Sequence, residues 1–184
     1  MRVWYDRTVD AAASEAERNK QITREYLEKV WIGKDPSAVH QYVDPNVILH
    51  EHLGEAEIGA ETRGSWGIEE QLTIVLNAAP DLQFVLDEIV AERDIVAARW
   101  HFEATHTGNF YGVPATNRRV SMHGMFFSRF RDGKVVESWQ TLDIFSILVQ
   151  MGVMPGGGPP APLRWWIAAR GRMYKRRHGV PSAT

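Results

Sequence analysis

The chain has 184 residues, no cysteine, 44% hydrophobic residues and a formal charge of −2 from 21 basic and 23 acidic side chains. That length suits one domain of the usual ~100–150 residues with material left over, and the apolar content is enough to build a core. The lack of cysteine excludes disulfides, thiolate zinc sites and cysteine nucleophiles. No run reaches the ~18 apolar residues of a spanning helix, and the opening MRVWYDRTVDAAASEAERNK has no apolar signal core, so a cytoplasmic protein is expected.

Residues 1–16 carry weak signals and belong to an N-terminal arm, 1–18. Ile22, Tyr26, Leu27, Val30 and Trp31 then form one apolar stripe at helical spacing. Asp35-Pro36 reads as a cap with proline at the first helical position, opening a short helix through Val43 that Asp44-Pro45-Asn46 breaks. Val47-Ile48-Leu49-His50 reads as a strand running into a polar loop, 51–65. Ser65 can cap a third helix that turns Ile68, Leu72, Val75 and Leu76 inward and ends at Pro80-Asp81.

The period then changes to two. Strands are expected at 83–91, 95–106, 119–130 and 134–142, with turns at Glu92-Arg93-Asp94 and Asp132-Gly133 and a loop over 107–118. A short helix from Ile144 to Met151 closes the domain at Gly152. Helices followed by a run of antiparallel strands is an α+β plan. Packed on one face of a curved antiparallel sheet, three N-terminal helices leave a cone with an internal pocket.

That plan carries characteristic words: Asn19–Trp31 (NKQITREYLEKVW), Ala79-Pro80-Asp81-Leu82, Arg99-Trp100, Thr105–Val120 (THTGNFYGVPATNRRV), Arg129–Asp143 (RFRDGKVVESWQTLD) and Leu148–Gly152 (LVQMG). In this order and spacing they resemble the SnoaL-like polyketide cyclase family of the NTF2-like superfamily, over 19 to about 153. The resemblance implies a cofactor-independent intramolecular aldol cyclisation of an aromatic polyketide ester, with an acidic side chain as general acid/base, an assisting histidine and no metal. It covers a domain at 19–153; both termini depart from the family, and composition sets a Gly/Pro linker at 154–162 and a basic tail at 163–184. The superfamily hosts cyclases, isomerases, hydrolases, dehydratases and non-catalytic binders in one cone, so the fold alone does not choose among them.

Abstracting a proton next to a carbonyl needs a base, and the enolate needs a donor or an apolar surround. On 134–143, Glu137, Trp139, Thr141 and Asp143 alternate onto one face. A two-residue type I′ turn at Asp132-Gly133 sets His123 opposite Leu142. A type I turn with a bulge at Gly133 sets His123 opposite Thr141 and Met125 opposite Trp139. The bulge is the expectation, because it also places Phe126 and Phe130 against Ser138 and Lys134 on the outer side. His123, Met125, Trp139 and Asp143 then share the pocket face, with Asp143 and His123 as the acid/base pair. Asp143 also reads as the N-cap of the helix at 144–151. Glu137 is either an alternative acid or a solvated strand charge.

His50 is expected to line the pocket as a donor. Together with His52 it has the spacing of a metal pair but no evident third ligand, so no metal is expected. Tyr26 belongs to the core by spacing, with a hydroxyl that could reach the pocket. Arg99 lies between Ala98 and Trp100 and needs a partner, for which Glu103 is the candidate. His106 reads as a loop-structuring residue. No glycine motif for nucleotides and no serine nucleophile elbow is present.

The near-neutral total hides a split. Residues 156–184 hold Arg164, Arg170, Arg172, Lys175, Arg176 and Arg177 without any Asp or Glu, whereas 1–155 carry a net −8. Leu163, Trp166, Ile167, Arg170, Met173 and Tyr174 follow an imperfect helical stripe. Such a tail can dock on its own acidic domain or a dimer partner, lie on an anionic membrane surface, or stay solvated. The charge complement favours docking, and no motif supports nucleic acid.

The leading expectation is an aldol cyclase or isomerase for a hydrophobic polyketide-like carbonyl substrate. Behind it stand a non-catalytic small-molecule-binding or assembly module built on a sheet-mediated homodimer, and an epoxide-hydrolase-like reading that needs Arg99 between two carboxylates.

Overall fold

The computed structural model describes residues 2–50 and 61–154, together with Pro162, Trp165, Trp166, Ala169, Arg170 and Met173, which are helical. His52, the rest of 51–60 and most of the linker and tail fall outside the described residues. Helix α1 runs Arg2–Tyr26, crosses residue 18 unbroken and continues as a π-helical turn, Leu27–Ile32. The wider turn buries Leu27, Val30 and Trp31. A 3₁₀ turn at Pro36–Ala38 leads into α2, Val39–Tyr42, and β1 follows as Val43–His50. The strand therefore takes in Asp44-Pro45-Asn46, the expected break, through a register irregularity between Val43 and Ile48. Then come β2 (Glu61–Arg63), α3 (Trp66–Ala78), β3 (Gln83–Glu92), β4 (Ile95–Thr105), β5 (Arg119–Arg131), β6 (Lys134–Leu142) and α4 (Ile144–Met151).

The strands form one curved, unclosed six-stranded sheet in the order β2-β1-β6-β5-β4-β3. All neighbours are antiparallel except β1 and β6, which run parallel. Strand β4 decides which face is buried. Its Val96, Ala98, Trp100, Phe102 and Ala104 alternate into the core, and β4 pairs with β5 without interruption from Ile95↔Arg129 to Thr105↔Arg119. The same face of β5 therefore carries Val120, Met122, Phe126 and Phe130, all buried. Against it pack Trp31 from the π-helical turn and Phe84 from β3, whose rings lie 6.3 and 5.2 Å from Trp100.

The β5–β6 turn corrects the expected register. Asp132 and Gly133 both have positive φ, 51° and 76°, the signature of a two-residue type I′ turn. Arg131 thus pairs Lys134 and Phe130 pairs Val135. One residue further on, an extra residue in β6 shifts the register so that Arg129 pairs Glu137, Phe127 pairs Trp139 and Met125 pairs Thr141. The bulge exists, but beyond the turn rather than at Gly133. His123, Met125, Trp139 and Asp143 do share a face, on the opposite side of the sheet from Trp100. Phe126 and Phe130, expected outside, are the inner residues.

Ser65 precedes α3 but makes no side-chain cap bond, so the capping expected there is absent. Helix α4 is closed at both ends. Asp143 accepts the Ser146 backbone N–H at 3.1 Å, and Gly152 takes the left-handed conformation that ends the helix. The Gln150 side chain extends the sheet where β6 has stopped: it accepts the Ser121 N–H at 2.7 Å and donates to the Ser121 carbonyl at 2.8 Å.

His106 anchors the loop between β4 and β5. Its Nδ1 lies 3.0 Å from the Thr116 hydroxyl and accepts the Thr116 N–H at 3.3 Å, which leaves the proton on Nε2. That nitrogen is buried without a hydrogen-bond partner, in a residue 1% exposed. Desolvation pushes the imidazole pKa below its usual 6.5. The unfolded chain accepts a proton near 6.5 that the folded chain resists, so this stability is complete above pH 6.5 and lost as pH falls below it. The urea midpoint should decline from pH 7 toward pH 5.5, and His106→Gln should flatten that part of the profile. An equal decline in the variant would refute the assignment.

Candidate functional site

The inner face of the sheet, α1 with its π-helical extension, and α3 line an apolar cavity with an open mouth. Its walls are aromatic and aliphatic: Tyr26, Trp31, Phe84, Trp100, Phe126 and Phe130 supply most of the rings. The polar groups are few and sit on two sides. Thr23, Tyr26 and Gln71 come from the helices, and Ser128, Ser138 and Gln140 from the floor of β5 and β6. The Ser128 and Ser138 hydroxyls lie 3.1 Å apart. An apolar cleft with a small set of convergent polar groups is the usual form of a small-molecule site.

Tyr26 is the most constrained of these groups. Its hydroxyl accepts the Trp31 indole N–H at 3.2 Å, and its ring meets Tyr42 edge-on with centroids 5.9 Å apart. Burial pushes its pKa up to about 12 despite the Trp31 donor, which acts the other way. The phenol is therefore protonated across the physiological range and keeps one proton to donate. Among the described lining residues there is no Asp or Glu.

The register relocates the other expected site residues. His123, Met125, Trp139 and Asp143, expected to face the pocket, do not line it, nor do Glu137 and Arg99; they lie on the outer face. Asp143 is exposed, and its hydrogen bonds from Ser146 hold its carboxyl below the usual range, with His123 adding a smaller pull in the same direction. Asp143 and His123 are brought together by a backbone bond, Asp143 N–H to the His123 carbonyl at 3.1 Å. The His123 ring stacks on His101 at 5.5 Å, and His101 Nδ1 meets Asp87 at 2.9 Å.

Arg99 does stand between two carboxylates, but they are Asp87 and Glu88, each at 3.3 Å. The expected partner Glu103 shares the face of Arg99 but lies four residues along β4, and it pairs instead with Arg119 at the start of β5. Glu137 is held by Arg129 and meets His50 Nε2 at 3.1 Å. His50 borders the cavity at the end of β1, while its imidazole lies flat on Trp139, 5.0 Å between centroids and 3° from parallel. Of the eight expected residues, Tyr26 and His50 border the cavity. No group of three or more His, Asp or Glu is arranged to hold a metal among the described residues.

Comparison with known proteins agrees with this fold. The family model for SnoaL-like polyketide cyclases matches residues 21–151. The chain is 32% identical over 122 residues to the aklanonic acid methyl ester cyclase DauD of Streptomyces sp. (strain C5), covering 62% of this chain and 75% of that one. Among solved structures, AclR of Streptomyces galilaeus, a candidate hydroxylase, superposes with a TM-score of 0.67 at 30% identity, covering 89% of this chain and 98% of its own. IdmH of Streptomyces antibioticus, a candidate polyketide cyclase, gives 0.61 at 29%, covering 71% and 96%.

One backbone position leaves room for a cavity wall. The Trp100 indole lies directly over Gly124 on β5, where any Cβ would collide with it. Gly124→Ala should therefore displace Trp100 and cost about 1–3 kcal/mol of stability, as overpacked cores do. Urea denaturation would show it, and an unchanged midpoint would place Trp100 elsewhere.

Proposed function

The chain belongs to the SnoaL-like polyketide cyclase family, and on that premise we propose that it is a cytoplasmic cyclase-type enzyme, working without a cofactor as a homodimer. Its substrate would be a hydrophobic, polyketide-like carbonyl compound held in the aromatic cavity, and its reaction an intramolecular aldol closure. The observation that carries this reading is the Tyr26 hydroxyl, half-buried and anchored by Trp31 in a cavity walled by rings.

In an aldol closure a base takes a proton from the carbon between two carbonyls, a role for which His50 is the imidazole among the described lining residues; the enolate carbon attacks a second carbonyl within the same molecule, and the resulting alkoxide takes that proton back. Each stage places negative charge on oxygen. A pre-aimed donor in a water-poor cavity stabilises that charge far more than one in water. Tyr26 supports this role: its own proton is free to donate, and the indole bond orients the phenol. The rings hold a planar substrate in a folded conformation, which raises the effective concentration of the two reacting carbons. Ser128, Ser138 and Gln140 offer partners to oxygens along the substrate edge. The second copy would meet the outer face of the sheet, where Met125 and Phe127 are exposed.

A binding module without turnover is the second reading, favoured by the absence of a carboxylate among the described lining residues. The test is turnover of aklanonic acid methyl ester by the full chain, followed by product analysis. Tyr26→Phe should lower kcat about 10²–10³-fold, the usual effect of removing one donor to a developing oxyanion. Asp143→Asn should retain turnover. Loss of turnover in the Asp143 variant alone would return the acid/base role to the Asp143–His123 pair. Tight binding with no product would establish the binding module, and a hydroxylated product would align the chain with AclR.

A further inference from the structure

Two surfaces of this chain are uncovered, and they complement each other. The first is the outer face of the sheet. Register alone defines a row across five strands: Val90↔Ala97, Ala97↔Phe127, Phe127↔Trp139 and Trp139↔His50. Val90 is 65% exposed and Phe127 54%, so the row is a solvent-facing apolar stripe. Charges border it on both sides: Asp81, Asp87, Glu88, Glu92, Glu103 and Glu137 stand with Arg99, Arg119, Arg129, Arg131 and Lys134, and the carboxylates are one more than the cations.

The second surface is in the C-terminal segment. Its described positions are Pro162, Trp165, Trp166, Ala169, Arg170 and Met173, which are helical and, apart from Ala169, exposed. Trp165 is 74% exposed, Trp166 51% and Met173 62%, and the Arg170 guanidinium lies over the Trp166 ring at 4.8 Å. The segment after residue 155 contains six Lys and Arg and no acidic residue.

The geometry points to a reciprocal exchange: the 162–177 segment of each copy docks on the outer sheet face of a second copy, Trp165 and Trp166 covering the Phe127–Trp139 stripe and the basic residues meeting the surrounding carboxylates. This rests on the homodimer in the proposed function and specifies what holds it. The observations commit to a second copy for two reasons. In the single chain both tryptophans are solvent-facing, so its own domain does not cover them. The apolar stripe and its acidic border then match a basic, tryptophan-bearing segment in hydrophobicity and in sign at once. Two reciprocal contacts related by a two-fold axis also close the assembly, as symmetric dimers require.

The chain has no native cysteine, so introduced thiols report position without background. Full-length Phe127→Cys and full-length Trp166→Cys chains are mixed and mildly oxidised. The mixture should form a disulfide-linked two-chain species carrying one of each, more than tenfold above either variant alone, and less of it as salt rises. Sedimentation of the cysteine-free Trp165→Ser/Trp166→Ser full chain should shift from dimer to monomer. A wild-type chain that sediments as a monomer would overturn the homodimer and the exchange together. A wild-type dimer without the 127–166 cross-link overturns the exchange alone. So does a Phe127→Cys/Trp166→Cys double variant that closes within one chain, or Phe127→Cys cross-linking to itself as readily as in the mixture. Co-sedimentation of the uncross-linked chain with phosphatidylserine vesicles, abolished by Trp165→Ser/Trp166→Ser, would assign the segment to a membrane surface instead.

Discussion

The unbroken ladder between β4 and β5 is the constraint on which both faces of this molecule depend. From Ile95↔Arg129 to Thr105↔Arg119 the two strands stay in register, and in a pleated sheet that ties the facing of every residue on one to its partner on the other. Trp100 is inward because it stacks with Trp31 and Phe84; Gly124 across from it must then be a residue without a side chain, and Phe126 and Met122 on either side must be inward as well. A slip of one residue would expose Met122, Phe126 and Phe130 together and turn Met125, Phe127 and Arg129 into the core. Burying a guanidinium there without its carboxylates would cost several kcal/mol, so the register is strongly selected.

The same ladder divides the chemistry. Most ionisable side chains of β4, β5 and β6 face out, where they pair: Arg129 with Glu137 and Asp94, Arg119 with Glu103 and Asp81, Arg99 with Asp87 and Glu88. The sheet floor contributes hydroxyls and an amide to the inner face, and the helices contribute a phenol whose proton is held by burial. In the proposed reaction such a cavity would polarise carbonyl oxygens by hydrogen bonding and shield an enolate from water. Substrate shape does the rest, since the rings leave a flat compartment between helix and sheet.

The elements from α3 onward were legible because their signals are local. Strands β3 to β6 follow period-two runs broken by Arg93 and Asp132-Gly133, and the Asp143 cap and Gly152 stop frame α4. The helical stripe through Trp31 was legible too, although its π-helical turn was not, since the same apolar spacing is compatible with either pitch. Which face of β5 is buried was not readable from β5 itself. Met122, Phe126 and Phe130 on one side and Met125 and Phe127 on the other are about equally apolar, so hydrophobicity alone cannot choose. The deciding signal lay in β4, where Val96, Ala98, Trp100, Phe102 and Ala104 alternate with Arg99, His101 and Glu103. Carrying that alternation across the β4–β5 pair would have found Ser128, Ser138 and Gln140 and moved His123 and Asp143 outward. The bulge in β6 was missed for a different reason: the type I′ turn fixes only the first pairs, and one inserted residue near Val136 restores the parity that a simple hairpin would have reversed.

An apolar outer face is a general hazard for an antiparallel sheet, because it invites unspecific association. Here Phe127, Met125 and Val90 are left exposed, yet each sits beside charges: Arg129 beside Phe127, Arg99 beside Met125, Glu88 and Glu92 beside Val90. Charges at this spacing penalise a bare apolar partner or one of mismatched charge, while leaving a partner of the right charge pattern unopposed. They also limit how a second copy can be placed, since two identical acidic faces repel when pressed together directly. In the proposed exchange the basic C-terminal segment would lie between them, offset that repulsion and bury the stripe at the same time. The charge asymmetry between the domain and its C-terminal segment would then serve assembly, and the near-neutral total is what a self-complementary chain would show.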